Sequence, residues 1–323
     1  HDGFYFSSEI KSFPALDNFN KKISPAGLHA FFNYVQIPAP QTIFEGVKKL
    51  CPAHWLLIKP DGDDCTSRYW HVDCTKKTKS SLVEAKDQLK GLMLDSMEKI
   101  LVSDVPIGIM LSGGVDSSLI LALSQKLGAK NITTITVGDS SQGTKDDEYI
   151  RASQMATRFQ VDNHVYDFNK ADFSEFIKAA RLCDEPVGHI GIFYLLNIYE
   201  KIRKHAKVIL AGNGADEIFG GYSTYGGIKR LADWTTILSP LIKKNNRFFT
   251  NCAATFGTYR KWIILKKLFS EDMKNYKSRD SSEALLLDAM RLVSYDNIMD
   301  AKLFMDLLVL LNHGISAIPD IGS

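Results

Sequence analysis

The chain has 323 residues, 45% of them hydrophobic and 24% charged, enough apolar material for one large core or two ordinary ones, and two domains are expected. Its 39 basic and 37 acidic residues leave a formal charge of +2, so no overall field draws it onto an anionic polymer or surface, and neither a nucleic-acid nor a membrane partner is expected. Five cysteines, Cys51, Cys65, Cys74, Cys183 and Cys252, are odd in number and lack CxxC spacing, which argues against a disulfide framework or structural zinc and fits a reducing, cytoplasmic setting.

No run reaches the roughly 18 apolar residues of a membrane span. The nearest is 303–311, where Asp306 interrupts the run and points to a buried helix. His1, Asp2 and Gly3 form a turn-like opening rather than a leader, so the chain reads as a piece of a longer protein. From 4 to 71, short apolar runs at 4–6, 55–58 and 68–70 alternate with Pro and the Asp61, Gly62, Asp63 turn, predicting strands and loops with one helix near 25–36. Residues 74–81 are polar and rich in Lys and Ser, a linker. Helical spacing of Val83, Leu89, Leu92, Met93 and Met97 then opens a second domain, and the division is expected as 1–74 and 75–323.

Beyond residue 100, β-rich runs at 105–111, 132–137, 164–168 and 207–211 alternate with helical patterns at 117–127, 146–159, 172–182 and 191–205. Strand and helix taking turns predicts an α/β fold with a parallel sheet covered on both faces, and ligands of such sheets bind at the carboxyl ends of the strands. From 233 onward the strand signal fades and long helical patterns, broken by Pro240 and Pro319, take over.

The run at 105–111 leads straight into Ser112, Gly113, Gly114, Val115, Asp116, Ser117 and Ser118, and an apolar helix follows. Paired glycines let backbone N–H groups approach an anion, and the helix start adds unpaired donors. Asp116 is a carboxylate where an anion should bind, which makes sense with Mg²⁺ between acid and phosphate. The plainer alternative is a strand-to-helix turn with Asp116 and Ser117 as a helix cap. No GxxxxGK[ST] loop exists in the chain. After the run at 207–211 come Gly212, Asn213, Gly214, Ala215, Asp216 and Glu217, where Asp216 is either a second metal ligand or a helix cap.

The SGGVDSS sequence of 112–118 resembles the pyrophosphate loop of the N-type ATP pyrophosphatases. Within them the chain is most similar to glutamine-dependent asparagine synthetases of the bacterial B type. Supporting blocks are SDVP at 103–106, FSSEIK at 6–11, PAPQTIFEG at 38–46 and AGNGADEIFGGY at 211–222, in family order over residues 1–230.

The resemblance implies ATP and Mg²⁺ as cofactors, and adenylation of a small-molecule carboxylate followed by attack of ammonia from a glutaminase domain. Aspartate is the expected acid, a sugar, peptide or lactam-forming acid or a noncatalytic nucleotide-binding relative are the alternatives, and a homodimer is left open. It implies metal-ligand roles for Asp116 and Asp216, phosphate or nucleotide contacts for Ser112, Gly113, Gly114, Ser117, Ser118 and Gly212, and adenine and ribose contacts for Met110, Leu111 and Val137. Tyr222 and Asn213 fall beside the reacting centre. The family has an acid where Asn213 stands, and His189, Ile190 and Gly191 replace the polar residues that normally follow the DEP turn at 184–186. Residues 1–74 resemble the later part of an N-terminal-nucleophile glutaminase domain, but no cysteine is terminal, so glutaminase activity is not expected of this piece. The family's later signatures have no match before Ser323, and the end of the catalytic domain is expected to be missing.

Overall fold

The computed structural model describes residues 3–73, 76–138, 147–167, 173–188, 199, 201–223, 225–228 and 298–307. Ser24 starts helix α1 (Pro25–Tyr34): its hydroxyl accepts the Gly27 N–H at 3.1 Å, and Pro25 needs no donor in the first turn. Strands β1 (His54–Ile58) and β2 (Asp64–Arg68) pair antiparallel around the expected turn, whose length sets Ile58 opposite Asp64. That register ends β2 at Arg68, so Tyr69 and Trp70 lie beyond the strand predicted over 68–70. The strand predicted at 4–6 does not form. Phe4, Tyr5 and Phe6 are exposed and run as coil toward a 3-10 helix (Ile10–Ala15), with no strand among the described residues paired to them.

The polar stretch before residue 82 ends in a capping box. Ser81 accepts the Glu84 N–H, and Glu84 accepts the Ser81 N–H at 2.7 Å, opening α2 (Leu82–Ile100). Strand β3 (Ile107–Met110), α3 (Val115–Lys126), β4 (Thr133–Gly138), α4 (Asp147–Phe159), β5 (Asp162–Asp167), α5 (Phe173–Leu182) and β6 (Val208–Leu210) then alternate as expected. The four strands form one parallel sheet in the order β5-β4-β3-β6. Most of the helix expected over 191–205, and of the chain after 228, lies outside the described residues. No described helix is long and apolar enough to cross a membrane, and Cys51, Cys65 and Cys183 are free thiols.

Strand order decides where a ligand can sit. The chain moves outward from β3 through β4 to β5, then returns to the other side of β3 as β6. The order therefore reverses between β3 and β6, the point at which open parallel sheets place their ligand crevice, outside the carboxyl ends of the strands. Ile109, Leu111, Leu121, Ala152 and Ala156 fill one face of the sheet, while Ile135 and Ile202 with Met110, Val137 and Ile209 fill the other. A third core joins Ala30, Tyr34, Ile37 and Ile43 to Tyr225, Ile228 and the helix Ile298–Asp306. Packing there crosses the division expected at residue 74.

Candidate active site

The loop after β3 is held by its own serines. Ser117 Oγ lies 3.2 Å from the Ser112 N–H, which donates to it, and 3.0 Å from Ser112 Oγ, while Gly114 N–H donates to Ser112 Oγ at 3.3 Å. Ser117 is buried and its hydroxyl is occupied within the loop, so it shapes the loop from inside. Gly113 has φ +72°, and a Cβ there would lie 2.5 Å from the Ala152 backbone nitrogen, so this turn admits only glycine. The helix cap is Gly114, which makes no side-chain cap bond. Asp116 is one turn-position inside α3 and exposed, and the cap reading of Asp116 and Ser117 is not realised.

The loop after β6 arrives at the same edge, because β3 and β6 are parallel neighbours. Its Gly212 packs against the start of α3: a Cβ on it would lie 3.0 Å from Asp116 Cβ and 3.1 Å from the Ser117 nitrogen. The motif glycine thus lets the two loops touch. Helix α6 (Ala215–Phe219) follows, capped by Gly214 at φ +92°, so Asp216 is inside the helix and not its cap. Asn213 is exposed, and Tyr222 donates its hydroxyl to Glu217 Oε1 at 2.7 Å.

Neither Asp116 nor Asp216 has a side-chain hydrogen bond or ion pair among the described residues. Two unpartnered carboxylates on touching loops suit a divalent cation that takes one or two carboxylates and completes its shell with phosphate oxygens and water. No group of three or more His, Cys, Asp or Glu side chains that could hold a metal ion occurs among the described residues. Ser118 lies half-buried in the first turn of α3.

The three residues expected at the adenine divide between faces. Met110 and Val137 each pack against the Ile135 and Ile202 cluster on one face. Leu111 turns into the opposite core, its N–H donates to Ile135 O at 2.8 Å, and its carbonyl accepts from the Thr136 hydroxyl at 3.0 Å. Its backbone donor is therefore committed to the sheet.

Residues 88–305 match the Asparagine synthase family, and residues 1–70 match a Glutamine amidotransferase domain. The chain belongs to the asparagine synthase family. It is 32% identical over 237 residues to asparagine synthetase [glutamine-hydrolyzing] 3 of Bacillus subtilis (strain 168), covering 68% of this chain and 38% of that protein. Synthetase 1 of the same organism is 29% identical over 244 residues, 75% of this chain and 38% of that one. The chain spans about two fifths of the length of the curated relatives it matches. Among solved structures it is similar to an NH3-dependent NAD synthetase from Campylobacter jejuni at 13% identity and a TM-score of 0.30, covering 62% of this chain and 96% of that one, a likeness that supports no further step.

Within this family's fold, two features escaped the motif reading. Glu217 is fully buried, and its second carboxylate oxygen has no partner among the described residues. Burial, and then Glu217 itself, push the Tyr222 hydroxyl far above its ordinary pKa of 10, so Tyr222 stays a donor. The signal available in the sequence was the second acid, directly following Asp216.

The second feature is the turn at 184–186. Asp184 accepts the N–H groups of Ile10 and Lys11 at 2.9 and 3.2 Å, and Glu185 accepts the Ile43 N–H at 2.7 Å while pairing with Lys49. Gly188 N–H donates to Val35 O at 3.0 Å. These acids clasp the N-terminal segment by its backbone. His189, Ile190 and Gly191, expected near an acceptor pocket, lie outside the described residues.

Proposed function

We propose that the crevice between β3 and β6 binds Mg-ATP and adenylates a small-molecule carboxylate, which ammonia then converts to an amide. The specific reaction we infer is aspartate to asparagine, with ammonia supplied by a glutaminase domain and with AMP and pyrophosphate as the other products. The observation that carries this reading is the contact of the 112–118 and 212–217 loops, with Asp116 and Asp216 unpartnered beside it. The division into 1–74 and 75–323 and a cytoplasmic location belong to the same proposal.

In this reading the N–H groups of the loop after β3 other than those of Ser112 and Gly114, together with the start of α3 and the Ser112 and Ser118 hydroxyls, donate to the pyrophosphate oxygens. Mg²⁺, when bound by Asp116 and Asp216, supplies positive charge to the phosphates. A carboxylate oxygen of the substrate attacks the α-phosphorus as the bond to pyrophosphate breaks. Ammonia then attacks the acyl carbon, AMP leaves with the bonding electrons, and the nitrogen loses a proton. Met110 and Val137 flank the adenine, Gly212 keeps the loops close, and Tyr222 and Asn213 face the reacting groups.

A second reading is a noncatalytic nucleotide-binding relative, favoured by Asn213, a neutral exposed residue where the family has an acid. Exchange of labelled pyrophosphate into ATP separates the two when run on the purified protein with aspartate and with other carboxylates. Aspartate-dependent exchange abolished by Asp116→Asn is the expected result. Exchange driven by another acid would change the substrate, and ATP binding without exchange under any acid would establish the noncatalytic reading.

A further inference from the structure

Tyr225 belongs to no motif of the sequence, yet it ties the Asp216 loop to a helix far along the chain. Helix α7 (Ile298–Asp306) carries Lys302 and Asp306 one turn apart, and the two form an ion pair buried in the core shared with α1. Tyr225 donates its hydroxyl to Asp306 Oδ2 at 2.5 Å, and the Lys302 ammonium lies 5.7 Å from the centre of its ring. All three residues are at most 3% exposed.

On its other side, the Tyr225 N–H donates to the Tyr222 carbonyl at 2.9 Å, and the two rings stand 5.7 Å apart. Tyr222 in turn bonds Glu217, the neighbour of Asp216, and Gly221 N–H donates to the Asp216 carbonyl at 3.0 Å. α6 has only five residues and no side-chain cap, so its own hydrogen bonds do little to fix the direction of Asp216.

A buried ion pair adds little stability over apolar residues of like volume, but it is directional, and here it aims one carboxylate oxygen at one hydroxyl. We propose that Tyr225 is a positioning residue for the Asp216 carboxylate, acting through Tyr222 and Glu217 and anchored by Asp306 and Lys302. This rests on the reading of Asp216 as a group that binds the cation of Mg-ATP.

The test compares Tyr225→Phe with the double variant Lys302→Met/Asp306→Leu, which replaces the ion pair by apolar side chains. Binding of Mg-ATP and of adenosine is measured by calorimetry at several Mg²⁺ concentrations, with thermal melts alongside. Tyr225→Phe is expected to weaken Mg-ATP about three- to tenfold, the effect of one lost hydrogen bond, and to leave adenosine unchanged. The double variant leaves the buried Tyr225 hydroxyl without its acceptor and should melt below the parent protein, yet show the same three- to tenfold loss for Mg-ATP with adenosine unchanged. Parent affinity in Tyr225→Phe, or equal losses for both ligands, overturns the proposal. Asp116→Asn and Asp216→Asn distinguish its failure from failure of the site: if neither weakens Mg-ATP, the cation reading itself is wrong, whereas loss in those two but not in Tyr225→Phe removes only the role of Tyr225.

Discussion

Replacing Gly113 by alanine tests whether the loop after β3 is built on a close approach or merely on a convenient turn. The new Cβ would lie 2.5 Å from the Ala152 nitrogen and 2.8 Å from the Arg151 carbonyl carbon, and φ is +72°. Left-handed backbone costs alanine roughly 1–2 kcal/mol. A clash with backbone atoms of α4 cannot be relieved by a side-chain rotation, and overpacking of this kind adds about 1–3 kcal/mol. Gly128 is the internal control: its φ is +74°, but no atom lies within 4 Å of a Cβ there, so Gly128→Ala bears only the backbone term. Thermal melts should therefore fall about 1.5 to 4 times as far for Gly113→Ala as for Gly128→Ala. Mg-ATP affinity should drop in the first, where α4 is pushed off the loop, and hold in the second. Equal melting shifts, with Mg-ATP binding intact in both, would refute the claim that the loop depends on its contact with α4.

Two further outcomes follow from the charges. The Ser81 N–H and hydroxyl hold the Glu84 carboxyl below its ordinary 4.5, so the capping box contributes stability that is present above 4.5 and lost as pH falls through the lowered folded value. Melts of the parent should show this acid-side loss, Glu84→Gln should lack it, and identical pH profiles would contradict the assignment. At the clasp, Lys49→Met leaves Glu185 buried against its desolvation penalty, the dominant force raising its pKa, and should destabilise by about 3–5 kcal/mol. Denaturant titration reads that loss, and limited proteolysis should show earlier cutting between 35 and 49. A Lys49→Met protein as stable and protease-resistant as the parent would mean that the clasp is ornamental.

Local chemistry was enough to read much of this molecule from its residues. Ser24 with Pro25, Ser81 with Glu84, and the alternation of β-branched runs with amphipathic helices specify where elements begin, because caps and side-chain periodicity act within a few residues. The two motif loops were legible for the same reason: paired glycines and an acid mark a backbone that must come close to something. The strand expected at 4–6 failed because a strand exists only when another pairs with it, a fact about distant residues. The alternative reading of Asp116 and Asp216 as helix caps is not realised, because the helices open at Gly114 and Gly214, where the backbone turns and the two loops meet.

Strand order lies beyond any local signal. That β6 returns beside β3 and not beside β5 places Gly212 against Asp116. The same limit hid Asp306. In the sequence it is an acid interrupting an apolar run, with Lys302 one helical turn before it, and only the folded chain brings the Tyr225 hydroxyl, 81 residues away, to its other oxygen and buries the group. Periodicity, capping and turn chemistry are properties of neighbours in the chain and are written in the residues themselves. The burial of the Lys302 and Asp306 pair, and the Tyr225 hydroxyl that completes it, depend on neighbours in space, which the tertiary structure supplies.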